Sequence, residues 1–96
     1  MAENPNPFDI MIETREGLYI LMASSSNRQY AAIVAEALYT TGKEETRPGR
    51  NKVASVVVRD MGNPREPVVM DVWPPRWEDQ EGWQAAIDRY RKQFRV

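Results

Sequence analysis

The chain has 96 residues, 42% apolar and 28% charged, the make-up of one ordinary globular domain. Its 13 basic and 14 acidic side chains leave a net charge of −1, which excludes a protein held to nucleic acid or anionic lipid by overall charge alone. Cysteine and histidine are absent, so disulfides and cysteine zinc sites are excluded, and the usual general base and serine activator are missing; the expectation is a non-enzyme with no cofactor and no metal site.

Residues 1–7 carry two prolines and two asparagines without apolar periodicity and read as a flexible leader to a single domain over 8–96. From Phe8 to Glu13, Phe8, Ile10 and Ile12 alternate with Asp9, Met11 and Glu13, the pattern of a half-buried strand. Thr14-Arg15-Glu16-Gly17 then predicts a hairpin turn closed by Gly17 in the left-handed region, leading into a second strand from Leu18 to Ala23. Ser24, Ser25, Ser26 and Asn27 supply N-cap candidates, and Tyr30, Ile33, Val34, Ala37 and Leu38 recur at helical spacing until Gly42, read as the residue just past the helix end. Gly42 to Lys52 is the most polar stretch and predicts an exposed, charged, mobile loop.

A third strand is expected over Val53 to Asp60 and a fourth over Val68 to Trp73, with Pro67 suited to the start of an edge strand. A final helix from about Asp79 to Phe94 places Trp83, Ala86, Ile87, Tyr90 and Phe94 on one face, with acidic residues early and basic residues late, as the helix dipole favours. The reading is therefore α+β: a four-stranded, mainly antiparallel sheet in ββαββα order with two helices packed on one face. The two halves match in element order but hardly in residue identity, so a duplication is only suggested.

Leu18 to Ala23 and Val56 to Val58 are apolar at consecutive positions, so these strands are apolar on both sides. With both helices on one face, the other would present Met11, Tyr19, Leu21, Val57 and Val69, and another chain should cover it. The expected function is a non-enzymatic protein-interaction module, a regulator, inhibitor or assembly factor, partnered by itself as a homodimer or by another protein. Trp73, Trp77 and Trp83 around Pro74 and Pro75 add a candidate hot spot, with Trp77 the one expected to be exposed; closure of the core at this corner is the simpler role for the others.

The alternative is nucleic-acid binding through Lys43, Arg47, Arg50 and Lys52, joined by Arg59 and Arg65. Glu44 and Glu45 dilute that patch, and a solvated loop explains it without a ligand. The serines before the first helix would suit a phosphate, but a plain N-cap accounts for them and no glycine cradle accompanies them. No run approaches the roughly 18 apolar residues of a membrane span, and the acidic, proline-rich start differs from a signal peptide, so a cytoplasmic protein is expected.

Overall fold

The sheet is built outward from its two central strands. In the computed structural model, which describes residues 5–44 and 52–94, β1 (Phe8–Thr14) pairs antiparallel with β2 (Tyr19–Ser25) on one side and with β3 (Val53–Asp60) on the other. β4 (Val68–Trp73) adds antiparallel to β3, giving the spatial order β2-β1-β3-β4. The β1–β2 hairpin forms as its sequence predicts: Gly17 sits at φ +87°, and its N–H donates to the Thr14 carbonyl at 3.0 Å. A residue with a Cβ would be strained in that left-handed region. Of the cap candidates, Asn27 serves α1 (Arg28–Gly42), its side-chain oxygen accepting from the Tyr30 N–H at 3.0 Å.

Register decides which side chains share a face. Ile10 lies opposite Val58 and Ile12 opposite Val56, while Met11 lies opposite Val57. Since neighbours along a strand point to opposite faces, these pairs form two separate rows. Ile10, Val56 and Val58 pack with Ala31 and Ala35 of α1. Val57 and Val72 pack with Ala86, Ile87 and Tyr90 of α2 (Gln80–Phe94), flanked by Tyr19, Val69, Trp83 and Phe94. Thus α1 covers one face of the sheet and α2 the other.

This corrects the expectation of two helices on one face. Val56, Val57 and Val58 all have 0% exposure, which requires cover on both sides, and α2 supplies the second cover from within the chain. Complete burial contributes on the order of 1.5–2 kcal/mol for each valine. The periodicity of α2 shows which side of the helix is buried; it carries no information on which side of the sheet receives it.

Gly42 is also corrected. It lies inside the last turn of α1, and Lys43 ends the helix with an ordinary right-handed φ of −66°. Its lack of a side chain serves close approach: a Cβ there would collide with the Val53 side chain, 2.8 Å from its Cβ. The helix end is thereby seated directly on the start of β3. Within the expected leader, Pro7 is tied down, its carbonyl accepting from the Met61 N–H at 2.7 Å. Residues 1–4 and most of the expected charged loop, 45–51 with Arg47 and Arg50, lie outside the described residues.

Candidate interaction surface

The α2 face carries most of the charge buried in the molecule. Glu13 on β1 is 3% exposed, and both its oxygens are engaged: Arg89 of α2 donates through Nε to Oε2 at 2.7 Å and through Nη2 to Oε1 at 2.9 Å, while the Ser55 hydroxyl donates to Oε1 at 2.8 Å. The hydrogen bond to Glu13 holds the Arg89 guanidinium even more firmly protonated than usual. Tyr19 of β2 completes the cluster, with rings of Tyr90 and Phe94 at 6.0 and 5.2 Å. Its hydroxyl is buried without a partner in good hydrogen-bonding geometry, and burial, then the neighbouring Glu13 charge, push the phenol well above its ordinary range. At the other end of β3, Arg59 pairs with Asp9 at 3.3 Å, donates to the Tyr90 hydroxyl at 3.1 Å and lies over the Phe94 ring. Apart from the Tyr19 hydroxyl, these polar groups satisfy one another and fasten α2 to the sheet. Among the described residues no metal-ligating group of three or more His, Cys, Asp or Glu side chains is present, and no helix is long and apolar enough to cross a membrane.

The sheet face expected to be open is therefore largely closed by the chain itself. Met11 and Val57 are buried, and Tyr19 and Val69 pack against the α2 cluster. Leu21 remains exposed beyond the reach of α2, and Trp77 is 86% exposed. Trp73 and Trp83 are half-buried and belong to the α1 and α2 clusters respectively, so the tryptophan corner is split between the two faces.

Among the described residues, the named basic side chains Lys43, Lys52, Arg59 and Arg65 are not gathered into one patch. Lys43 and Lys52 lie at the end of the sheet where β3 begins, while Arg59 and Arg65 lie at the other, roughly 23 Å away at 3.3 Å per strand residue. Arg59 is consumed by Asp9 and Tyr90, and Lys43 lies over the Tyr39 ring at 5.2 Å.

Exposed apolar surface collects at the β2 edge instead. Among the described residues eight large apolar side chains are exposed, and Leu18, Ile20, Leu21, Met22, Tyr30 and Ile33 are six of them. The first four lie on or beside β2, where Met22 is the extra residue of a bulge: Ile10 pairs with Ala23 and Met11 with Leu21. Tyr30 and Ile33 belong to α1. Ala31 and Ala35 mark its buried side, and Arg28, about 60° to one side of them, reaches Asp71 of β4. Tyr30 is about 100° from Ala31 the other way, toward β2, whereas Ile33, about 160° from both alanines, lies on the outer crest of the helix. The apolar stripe of α1 is thus wider than its buried face. The helical spacing read from Tyr30, Ile33, Val34, Ala37 and Leu38 leaves out Ala31 and Ala35, the residues seated on the sheet, because alanine carries a weak apolar signal. A second signal was available: no charged residue occurs from Leu18 to Asn27.

The opposite edge has a different character. A groove of about 620 Å³ runs along β4, with Tyr39 and Lys43 of α1 on one side and Trp77, Trp83 and Arg91 on the other. The Met70 carbonyl of this strand accepts from Arg28, and Asp71 pairs with the same guanidinium at 3.4 Å.

No protein-family model, curated protein or solved structure matches this chain.

Proposed function

We propose that this protein is a non-enzymatic protein-interaction module, a regulator, inhibitor or assembly factor, which acts through the β2 edge and the adjoining flank of α1. The observation that carries this reading is the run of exposed large apolar side chains Leu18, Ile20, Leu21 and Met22 on a charge-free edge strand, with exposed Tyr30 beside it. Exposed apolar side chains gathered along one edge strand, Ile20 on the α1 face and Leu21 on the α2 face, are costly to leave in water and mark interaction sites. The surface replaces the sheet face that composition alone suggested, and of the residues first named for the interaction it retains Leu21.

The test compares wild type with a Leu21→Lys/Tyr30→Glu variant as immobilised bait. Partners are identified by mass spectrometry, purified and titrated, with the chain itself included as a partner. Binding should weaken at least about tenfold in the variant. Unchanged binding of every partner would remove this edge from the function.

A further inference from the structure

We propose that the occupant of the β2 edge is a second copy of this chain, docked about a two-fold axis so that β2 pairs antiparallel with its own image and the two sheets become one of eight strands. This deepens the interaction-module reading and rests on it. Along the outer side of β2, alternate residues direct their N–H and C=O groups away from β1, as on any edge strand. Such an edge invites another strand, and its side chains determine which.

From Leu18 to Asn27 there is no charge, so pairing the strand with its own antiparallel image sets no like charges opposite each other. A strongly charged partner would find no counter-charge here. Antiparallel pairing also brings the copy's Leu18 to the Ser25 end of β2, next to the first turn of α1, where Tyr30 stands exposed. The five side chains at this edge, Leu18, Ile20, Leu21, Met22 and Tyr30, are 40–61% exposed; at roughly 150–250 Å² for an aromatic ring and somewhat less for an aliphatic chain, about 400 Å² of them is open. With the strand backbone this reaches the low end of specific interfaces, roughly 600 Å² per partner.

The other edge explains why assembly would end at two. A head-to-tail contact of β2 on β4 would leave a free edge at each end and grow without limit. β4 resists it: Pro67 precedes the strand, Asp71 puts a charge on the strand, and Arg28 already holds the Met70 carbonyl. Joining β2 to β2 uses both open edges at once and leaves only the two guarded ones.

The absence of cysteine makes a direct test available, because a single introduced cysteine reports alone. Light scattering of the wild type across a dilution series should give twice 11.1 kDa, falling toward 11.1 kDa on dilution. Leu21→Lys should remain folded by circular dichroism and associate at least about tenfold more weakly. Leu21→Cys, Met22→Cys and Ala23→Cys, made singly, should include a variant that oxidises to a linked dimer at least about tenfold faster than Asn63→Cys in the β3–β4 loop, as proximity to a two-fold axis requires. A wild-type mass of 11.1 kDa at every concentration overturns the proposal, as does a dimer that Leu21→Lys leaves intact or one that links through Asn63 in preference to β2. If the wild type is monomeric but binds a different purified protein that Leu21→Lys fails to bind, self-pairing is wrong and the interaction-module reading survives. A monomer with no partner sensitive to this edge overturns both.

Discussion

The two edges of this sheet have the same backbone chemistry and opposite side-chain chemistry. β4 carries a proline before it, a bulge, an aspartate and a helix arginine bound to one of its carbonyls. β2 also has a bulge, but it has no charge, no proline and large apolar side chains in water. An edge strand is a template for further pairing unless something blocks it. The contrast teaches that burial alone does not distinguish the two edges of a small sheet protein; the distribution of blocking devices does, and here they are concentrated on β4.

The largest effect expected from probing this contrast comes from the ring that holds β2 to the body. Tyr90 is fully buried and packs against Tyr19 of β2, so Tyr90→Ala should cost about 3–5 kcal/mol in urea unfolding. In hydrogen exchange β2 should lose protection before β4; simultaneous loss would mean that the edges differ in chemistry but not in stability. Glu13→Gln comes next. It retains the shape but replaces the charged partner of Arg89, and because Arg89 is 47% exposed and can rehydrate, the expected cost is about 1–2 kcal/mol by the same measurement. A near-zero value would show that the clamp contributes orientation rather than stability.

Arg28→Ala strips the guard from β4. The ion pair is half in solvent, so stability should fall by less than about 1 kcal/mol, while exchange at the β4 amides rises and species larger than a dimer emerge at high concentration. If β4 exchange and mass stay unchanged, Arg28 is no guard and the contrast must rest on the other devices. The smallest effect at neutral pH belongs to Tyr19→Phe, which removes a buried hydroxyl lacking a good partner and should be neutral or stabilising by up to about 1 kcal/mol. It should matter more in alkali. The folded-state pKa of Tyr19 lies above the ordinary phenol value near 10, so the stability gained from keeping this ring protonated is complete below pH 10 and is lost as pH rises through the folded value. Above about pH 10 the wild type should therefore lose stability faster than Tyr19→Phe, as read from thermal melts across the range.

Local order was well written in the sequence. The alternation from Phe8 to Glu13, the turn at Gly17, the valine run of β3 and the apolar face from Trp83 to Phe94 each encode an element through its own spacing, and each element is present. What spacing could not encode is the relation between elements. The side of the sheet chosen by α2 depends on the path after Trp73, and the true seat of α1 depends on alanines whose small size permits close packing. Gly42 resembled a terminator because glycines often end helices, whereas here it makes room for Val53. Of the candidate site, the charge-free stretch of β2 was legible; the spatial order that leaves β2 at an edge was not.

The placement of one helix on each face has a consequence for the ancestry and cooperativity of the chain. In a β2-β1-β3-β4 sheet, a half-turn about an axis normal to the sheet exchanges β1 with β3 and β2 with β4, but it returns α1 to its own side. Since α2 lies on the other side, the two ββα halves have opposite hand and cannot be superposed copies of one unit. Neither half closes a core by itself, because β3 from the second half supplies Val56 and Val58 to the helix of the first. The halves should therefore fold in a single transition, with no stable fragment to be gained by cutting the chain between them.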